Sequence, residues 1–232
     1  LTAPAWGDER SVITIGMYDG VHLGHRTVIN QVRARATELG ARSVVVTFDR
    51  HPMSIVRPES APKLLTNLEQ RLELLAATGV DATVVVSFND ELSQETAVGF
   101  VERVIVGALR TRAVIVGSDF HFGHMRQGNI TLLREMGERH DFTAEPVRLV
   151  PRADGVDEPV SSTAIRRALA GGEIDTATRM LGRPHEIRGT VIDGDKRGRT
   201  IGFPTANVAV PDGMCIPADG VYAAVYRRPD AS

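Results

Sequence analysis

Two histidines, His22 and His25, stand three residues apart in segment 16–25, which reads GMYDGVHLGH. The segment follows a hydrophobic stretch, Ser11–Ile15, and precedes a stretch with helical periodicity. Histidines spaced i, i+3 lie on one side of a helical turn. A helix start also offers unpaired N–H groups and the positive end of its dipole, and glycine lets the backbone approach a ligand closely. The pattern predicts a site that holds the phosphates of a nucleotide while its α-phosphorus is attacked.

An isolated His-x-Gly-His pattern is more simply interpreted as two polar residues in a turn. Here the context favours chemistry, because the motif lies between a predicted strand and a predicted helix, and Gly16, Gly20 and Gly24 punctuate the turn. The sequence contains no P-loop and no dinucleotide-binding glycine motif that would compete for the phosphate. Donors aimed at a phosphoryl group act by positioning and electrostatic stabilisation, without a covalent intermediate.

A second candidate is the hydroxyl-rich segment 161–167, which reads SSTAIRR. Hydroxyl residues of this kind are typical of a helix N-cap, and that structural role is expected. A helix start that carries Ser162, Thr163 and, on its first turns, Arg166 is equally suited to a pyrophosphate group. The residues alone leave both interpretations open.

The third candidate segment, 116–124, ends the fourth predicted strand and reads VGSDFHFGH. Glycines and aromatic rings at the carboxyl end of a strand suit the stacking of a planar ring, with Asp119 accepting hydrogen bonds. A zinc site is an alternative, because His121 and His124 repeat the three-residue spacing. It is the weaker alternative, since structural zinc sites usually have four protein ligands and the single cysteine, Cys215, is distant in sequence.

Segment 47–52, which reads TFDRHP, ends the second predicted strand in a similar way. The carboxyl ends of parallel strands lie at the same edge of a sheet, where ligands bind. Asp49 and His51 therefore either contact a ligand or only shape the turn.

A fourth candidate lies near the C-terminus, where the basic, glycine-punctuated loop 194–203 runs into Pro-Thr-Ala-Asn. Such a loop could hold a nucleotide. The side-chain oxygens of Thr205 and Asn207 suit magnesium, which favours hard ligands. The alternative interpretation is a solvated loop between two strands.

The composition excludes several classes of function. With 42% hydrophobic and 24% charged residues among 232, the chain has an ordinary globular composition and enough length for one or two domains. Its formal net charge of −2 gives no bulk attraction to nucleic acid or to an anionic membrane. The sequence shows no signal peptide, no apolar run long enough to span a bilayer, and one cysteine. We therefore expect a cytoplasmic protein that binds neither nucleic acid nor a membrane.

Up to residue 182 the sequence alternates short β-branched stretches with helical periodicity. We expect strands over residues 11–15, 43–48, 82–88, 113–117 and 142–149. We expect helices over residues 25–39, 67–78, 96–109, 129–140, 163–170 and 174–181. The alternation predicts an α/β fold with a Rossmann-like parallel sheet, right-handed crossovers and ligands at the carboxyl ends of the strands. The candidate segments fall at those ends.

Local signals refine two helix boundaries. Thr66 is expected to cap the helix over 67–78, with Glu69 completing a capping box. Gly171 and Gly172 are expected to end the helix over 163–170.

After residue 182 the pattern changes. Strands are expected over 185–192 and 220–226, with glycine- and proline-rich loops and no helical period between them. We expect one domain over 1–182 and the start of a small antiparallel β-barrel module over 183–232. The last 50 residues are expected to be too few to close a barrel.

Together these segments resemble the prokaryotic bifunctional riboflavin kinase/FAD synthetase family. The resemblance runs from about residue 11 to the C-terminus and rests on the ordered motifs GMYDGVHLGH, TFDRHP, VGSDFHFG, SSTAIR, LGRP, GFPTAN and PADGVYA. Each motif is short, and their order and spacing make the combination specific. The resemblance implies that the first domain is a nucleotidyltransferase that joins FMN to ATP, giving FAD and pyrophosphate, with magnesium assisting.

The same resemblance implies roles for individual residues. His22, His25 and Arg166 would be catalytic, with the two histidines stabilising the transferring phosphate. Ser162 and Thr163 would hold the leaving pyrophosphate together with Arg166. Further nucleotide contacts would come from Gly16, Met17, Tyr18 and Gly24, and flavin or other substrate contacts from Asp119, Phe120 and His51.

The C-terminal residues resemble the opening of a riboflavin kinase β-barrel. Thr205 and Asn207 would bind magnesium and nucleotide there, and Lys196 and Gly198 would belong to the same site. Family members continue beyond this point and supply a glutamate base. We therefore expect riboflavin phosphorylation from the complete natural protein and no kinase activity from the chain as given.

The chain departs from the family pattern at a few positions. Tyr18 stands where phenylalanine is frequent, which is nearly neutral. Arg50 stands where proline is common, and Pro159 replaces a basic residue that some members carry. These last two differences are expected to alter nucleotide or flavin affinity and to leave the motifs intact.

Two alternatives to this function stay open. The first is a nucleotidyltransferase for another acceptor, such as phosphopantetheine, nicotinamide mononucleotide or a choline- or glycerol-type phosphate; the Pro-Thr-Ala-Asn motif argues against it. The second is a flavin- or nucleotide-binding regulator without turnover; the intact His22, His25 and Arg166 argue against it. The sequence leaves the oligomeric state open, and a homo-oligomer is compatible with it.

Overall fold

The chain folds around a parallel sheet whose strands alternate with helices. The computed structural model describes residues 9–148, 150–195, 197–203 and 205–228. The strands of the main sheet are β1 (Ser11–Ile15), β2 (Arg42–Phe48), β3 (Ala82–Val86), β4 (Thr111–Gly117) and β5 (Thr143–Val147). All neighbouring pairs are parallel, in the order β3-β2-β1-β4-β5. The predicted α/β fold is confirmed, and the five predicted strands lie within two residues of the observed bounds.

The strand order changes direction at β1. The chain moves outward from β1 to β2 and β3, then crosses to β4 and β5 on the other side. In open α/β sheets, ligands bind outside the carboxyl ends of the strands at such a switch point. Segments 16–25 and 116–124 follow β1 and β4, so the fold brings two of the candidate segments to the expected ligand edge.

Both faces of the sheet are covered, as β2 illustrates. Val44 and Val46 are fully buried in a cluster that includes Phe100. Val45 points to the opposite face, where it packs with Tyr18 and Leu75. This two-sided burial explains why the strand is a continuous apolar run rather than an alternating pattern.

Helices cover the sheet and flank its carboxyl edge. They are α1 (Leu23–Leu39), α2 (Met53–Val56), α3 (Leu68–Ala76), α4 (Asp90–Gln94), α5 (Ala97–Phe100), α6 (Ile130–His140), α7 (Ser162–Ala170) and α8 (Ile174–Leu181). Helix α5 continues as a π-helical segment, Val101–Ala108. All six predicted helices are present, although α1 begins two residues early because His22 caps it. Gly171 caps α7 and Gly172 follows with φ of +75°, as predicted.

The start of α3 differs from the prediction. Thr66 does not cap this helix, and Glu69 does not complete its capping box. Asn67 is the N-cap, accepting from the N–H of Gln70, while the Gln70 side chain accepts from the N–H of Asn67. The Thr66 hydroxyl is instead bonded to the loop after β1. A tertiary contact therefore takes it away from the helix.

Beyond residue 182 the chain forms a small antiparallel pair, β6 (Thr190–Ile192) and β7 (Asn207–Ala209), with the short helix α9 (Arg197–Thr200) between them. The predicted strand over 185–192 is reduced to its last three residues, and α9 and β7 were not predicted. The predicted strand over 220–226 is wrong. No described residue pairs with this segment, and Val221 is fully exposed. A β-branched composition does not make a strand without a partner and a surface to pack on.

A segment near the C-terminus returns to the first part of the chain. The N–H of Leu64 donates to the Gly213 carbonyl, and the N–H of Cys215 donates to the Leu64 carbonyl, each at 2.7 Å. The N–H of Ala218 donates to the Leu169 carbonyl at 3.0 Å. Cys215 is buried among residues of α7 and α8. The proposed domain boundary at 182/183 therefore has chain contacts across it, and the division itself stays a prediction.

Candidate active site

The loop after β1 is tied to β2. The N–H of Gly16 donates to the Val46 carbonyl at 3.0 Å. The carbonyl of Met17 accepts from the Thr47 hydroxyl, also at 3.0 Å. These bonds fix the backbone of the predicted nucleotide-binding residues before any ligand arrives.

The same loop has an unusual backbone. Tyr18, Gly20 and Val21 have φ angles of +52°, +81° and +38°. Residues other than glycine rarely adopt this region, and a β-branched valine there is an outlier. Tyr18 is held by burial and by a 2.6 Å hydrogen bond between its phenol and Thr14. Strained backbone of this kind persists where surroundings fix it, and it clusters at functional sites.

The two histidines form one unit at the start of α1. His22 is the N-cap, and its Nδ1 accepts from the N–H of His25 at 3.3 Å. The two rings stack, with centroids 3.6 Å apart and planes at 19°. A Cβ on Gly24 would lie 3.2 Å from Cε1 and Nδ1 of His22. The glycine between the histidines therefore leaves room for the His22 ring to fold over the helix start.

The surroundings of both imidazoles favour the neutral form. Burial, followed by the Arg166 and Arg183 cations, lowers the pKa of His22 to about 3. Burial, followed by His22 and Arg166, holds the pKa of His25 well below its usual value. Because Nδ1 of His22 accepts a hydrogen bond, its proton lies on Nε2. Nδ1 of His25 is buried without a partner among the described residues, so the same tautomer avoids an unpaired N–H. Each ring thus offers an Nε2–H donor.

Asp19 joins three elements through its buried carboxylate. It accepts from the N–H groups of Leu65 and Thr66 at 3.0 Å, and from the Thr66 hydroxyl at 3.2 Å. It also pairs with the guanidinium of Arg166 on α7. The side chains of Asp19 and Arg166 are 2% and 16% exposed. The loop after β1, the approach to α3 and the start of α7 are therefore fixed relative to one another.

Two of the hydroxyl residues at the start of α7 stabilise the helix and its contact with the loop after β1. Ser161 is the N-cap and accepts from the N–H of Ala164 at 3.1 Å. The Ser162 hydroxyl donates to the Asp19 carbonyl at 2.9 Å, and Thr163 is exposed on the first turn. The predicted capped helix start is confirmed, and it lies beside the loop after β1. The pyrophosphate role stays a prediction.

The loop after β2 is shaped by its polar residues. The Asp49 carboxylate accepts from the N–H of Phe88 at 2.9 Å, and Nδ1 of His51 accepts from the N–H of Met53 at 3.1 Å. Burial and then the Arg166 cation lower the pKa of His51. Both residues therefore shape the turn, and contact of either one with a ligand stays a prediction; His51 also lies within electrostatic reach of Arg166.

The loop after β4 presents Asp119, which is exposed, and Phe120, whose ring stacks on Phe122 with centroids 5.4 Å apart. Nδ1 of His121 donates to the Asp119 carbonyl at 2.8 Å. Across the described ranges, no group of three or more His, Cys, Asp or Glu side chains could hold a metal ion. The zinc interpretation of His121 and His124 therefore gains no support.

The fourth candidate segment forms its own cluster beside β7. A Cβ on Gly198 would lie 3.3 Å from Cγ2 of Thr205, and a Cβ on Gly194 would lie 2.1 Å from Nδ2 of Asn207. The structure thus brings Gly198, Thr205 and Asn207 together, while Lys196 lies outside the described residues. Thr205 and Asn207 are exposed, and their side-chain oxygens are donors of the type that magnesium prefers.

Three residues of this edge were missed by the sequence reasoning: Asp19, Arg71 and Arg183. Arg183 donates to the Gly20 carbonyl at 2.8 Å, and its charge helps to lower the pKa of His22. Asp19 lies in the motif GMYDGVHLGH and Arg183 in the motif LGRP, and this membership is the signal that the sequence offers for them. Arg71 lies in no motif, and the sequence shows it only as a basic residue of a predicted helix.

A parallel sheet with a switch point at β1, and a stacked histidine pair that caps the next helix, define an α/β protein of nucleotidyltransferase-like fold. The family profile described as FAD synthetase matches residues 5–164, and the one described as riboflavin kinase matches residues 181–231. The chain belongs to the bifunctional riboflavin kinase/FMN adenylyltransferase family. The resemblance inferred from the motifs is confirmed.

Curated relatives carry the name bifunctional riboflavin kinase/FMN adenylyltransferase. The protein from Listeria monocytogenes is 40% identical over 231 residues, covering 98% of this chain and 71% of the relative. The protein from Pseudomonas fluorescens is 41% identical over 211 residues, with coverage of 91% and 66%. The protein from Escherichia coli K12 is 38% identical, with coverage of 93% and 67%. The chain thus spans about two thirds of these proteins.

A solved structure described as a macrolide-efflux protein from Streptococcus pneumoniae has a similar fold. The TM-score is 0.79 at 30% sequence identity, over 93% of this chain and 69% of that one. Within the described residues, no helix has the length and apolar character needed to cross a membrane.

Proposed function

We propose that this chain transfers AMP from ATP to the phosphate of FMN, giving FAD and pyrophosphate. The observation that carries the proposal is the stacked pair of neutral histidines at the helix start after β1, in a chain of this family. In-line displacement at a phosphorus needs donors aimed at the charge on the transferring group. Two Nε2–H donors on one side of a helix start suit that need.

In this proposal His22 and His25 donate hydrogen bonds to the α-phosphate of ATP as the FMN phosphate attacks it. Neutral rings fit this role, because each histidine only donates an Nε2–H hydrogen bond. It neither transfers a proton to the phosphate nor forms a covalent bond with it. Arg166, Ser162 and Thr163 hold the β- and γ-phosphates that leave as pyrophosphate. Support comes from the helix start and the cation beside the histidines.

The two substrates would bind on either side of the histidines. The backbone of Gly16, Met17 and Tyr18 receives the adenosine, and Gly24 lets the nucleotide approach the helix start. Asp119, Phe120 and His51 contact the flavin side. Support comes from the positions of these residues after β1, β4 and β2, at one edge of the sheet.

Magnesium bound to the phosphates would neutralise part of their charge. Asp19 is not available as a ligand, because its oxygens already accept from Leu65, Thr66 and Arg166. We therefore propose that phosphate oxygens and water hold the ion at the adenylyl-transfer site. Thr205 and Asn207 would hold magnesium at the C-terminal cluster.

A second activity, phosphorylation of riboflavin by ATP, is proposed for the complete protein. The riboflavin kinase match over residues 181–231 favours it, and so does the cluster of Gly198, Thr205 and Asn207. A protein that makes FMN with one activity and consumes it with the other needs ATP for both, and we propose that it acts in the cytoplasm, where ATP is supplied.

The direct test is to incubate the purified chain with FMN, ATP and magnesium, separate the flavins by chromatography, and measure pyrophosphate. FAD and pyrophosphate in equal amounts are expected. A folded sample that binds ATP and forms no FAD would contradict the proposal. In that case the same assay with nicotinamide mononucleotide or phosphopantetheine as acceptor tests the alternative nucleotidyltransferases, and binding without any turnover indicates the regulator.

A further inference from the structure

Arg71 is a buried arginine for which the proposed chemistry has no role. It lies on α3 and is 1% exposed. Its Nη2 donates to the carbonyl of Phe48, and its Nη1 lies 3.6 Å from Sδ of Met17. Nε is buried and has no hydrogen-bond partner among the described residues. The guanidinium therefore lies between the loop that follows β1 and the last residue of β2.

No carboxylate in the described part of the chain is hydrogen-bonded to this guanidinium. Burial lowers the pKa of Arg71, while Asp19 and Asp49 raise it from a distance. The oxygens of Asp19 are engaged by Arg166 and by the approach to α3. Those of Asp49 accept from the N–H of Phe88 and pair with an exposed arginine. Arg71 is thus not one half of a buried ion pair.

Packing alone does not explain an arginine at this position. A buried cation without a hydrogen-bonded anion is costly, and an apolar side chain of similar volume is often equally or more stabilising. Helix α3 is already fixed by its Asn67–Gln70 capping box and by Leu75, which packs with Tyr18 and Val45. The contacts that only an arginine makes here are those to Met17 and Phe48.

We infer that Arg71 is a positioning residue for nucleotide binding, which holds the loop after β1 and the carboxyl end of β2 at a fixed separation. Met17 belongs to the backbone segment proposed to receive adenosine, and Phe48 leads directly into the turn that carries His51. A guanidinium has terminal nitrogens that point in different directions, so one side chain can contact both the loop after β1 and the end of β2. The ammonium group of a lysine is a compact charge on one nitrogen, so it cannot contact both Met17 and the Phe48 carbonyl. The inference rests on the proposed function.

The test compares Arg71→Met and Arg71→Lys with a matched control, Arg10→Met. Arg10 also donates to a backbone carbonyl, that of Thr111 at 2.9 Å, but it lies at the amino end of β1, opposite the site. Three quantities are measured for each protein: the calorimetric Kd for ATP, KM for ATP and kcat in FAD formation, and the thermal midpoint. All rates are expressed per folded molecule.

We expect Arg71→Met to raise the Kd and KM for ATP about tenfold or more with a smaller change in kcat, and Arg71→Lys to recover only part of that loss. Arg10→Met is expected to lower the thermal midpoint without changing either constant. If Arg71→Met does not fold, an unchanged Kd in Arg71→Lys overturns the inference. An Arg71→Met protein that loses stability as Arg10→Met does, with native Kd and KM, also overturns it. Absence of FAD formation by the wild type refutes the proposed function instead, and the Kd values still test Arg71.

Discussion

The carboxylate of Asp19 pairs with the guanidinium of Arg166, 147 positions further along the chain. The pair joins the loop after β1, which begins the first motif, to the first turns of α7, which carries the second. Asp19 also accepts from backbone N–H groups that precede α3. One buried carboxylate thus sets the separation between the histidine pair and the proposed pyrophosphate site.

Asp19→Asn is expected to lose both stability and activity. The amide keeps one acceptor, but it leaves Arg166 without its counter-ion and turns an NH2 group toward other donors. Breaking a buried pair in this way costs about 3–5 kcal/mol. We expect a loss of about 3 kcal/mol in the free energy of urea unfolding and a fall of at least tenfold in kcat/KM for ATP.

The matched control is Glu73→Gln, which removes the same charge from a pair with Arg188 at a partly exposed site. Surface pairs contribute about 0–1 kcal/mol, so this variant is expected to stay within that range and to keep its activity. Equal losses in the two variants would show that Asp19 has no special role.

His25→Ala is expected to lower kcat by about a hundredfold or more with little change in the affinity for FMN. This is the scale expected for the loss of one preorganised donor to the transition state. Turnover is measured by FAD formation and FMN affinity by calorimetry. His140→Ala, in the last turn of α6, serves as the control and is expected to keep full activity. Near-normal turnover in His25→Ala would remove the histidine from the mechanism.

The free energy of unfolding is expected to fall as the pH drops below about 6.5. In this range His22 takes up a proton in the unfolded chain but stays neutral in the folded protein. Its pKa is about 3 in the folded protein against an ordinary value of 6.5. Between these values the unfolded chain binds more protons, so the free energy of unfolding increases with pH over this window. A protonated Nδ1 would also turn an acceptor into a donor facing the N–H of His25.

The measurement is urea unfolding at several pH values between 4 and 7 for wild type and His22→Gln. The variant is expected to lose part of the slope, which is about 1.4 kcal/mol per pH unit for each proton bound. His140→Gln, in the last turn of α6, is the control for the loss of a histidine away from the site. Identical slopes in wild type and His22→Gln would show that His22 is not buried in the neutral form.

The architecture followed from the sequence to the extent that local patterns determine it. The continuous apolar run at Val44–Val46 predicted a strand covered on both faces, and the glycines around His22 and His25 predicted a tight turn into a helix. Position in the fold was predictable too, because parallel strands present their carboxyl ends at one edge. Side chains that act across long sequence separations were not predictable.

Thr66 and Arg71 illustrate that limit. Thr66 has the chemistry of an N-cap, and only the approach of Asp19 and Gly20 in three dimensions removes it from that role. Arg71 looks like an ordinary basic residue of an amphipathic helix, and only the fold shows that Met17 and the end of β2 contact its guanidinium. In segment 220–226, a β-branched composition did not produce a strand, because pairing is a property of two segments.

Thr205→Ala is expected to leave FAD formation within about twofold of wild type. Thr205 lies in the exposed cluster beside β7, and its proposed role concerns the kinase site of the complete protein. Thr163→Ala makes the same chemical change on the first turn of α7, and it is expected to lower kcat/KM for ATP about tenfold through lost contact with the leaving pyrophosphate. A large loss in Thr205→Ala would indicate that the two clusters share a site.

Gly24→Ala separates the geometry of the histidine pair from the stability of the helix. The added Cβ would lie 3.2 Å from the His22 ring and 3.2 Å from the Val160 carbonyl, so the ring must move by a few tenths of an ångström. In a helix interior alanine is favoured over glycine by about 1 kcal/mol, and a part of that gain at this first-turn position offsets some of the strain. We expect an unchanged or higher thermal midpoint with kcat lowered about tenfold, because small displacements of catalytic groups are costly.

Gly171→Ala is the control: its φ is −87° and its nearest atoms lie 3.6 Å from an added Cβ, so it is expected to change neither quantity. Wild-type kcat in a folded Gly24→Ala protein would mean that the position of the His22 ring does not limit the reaction.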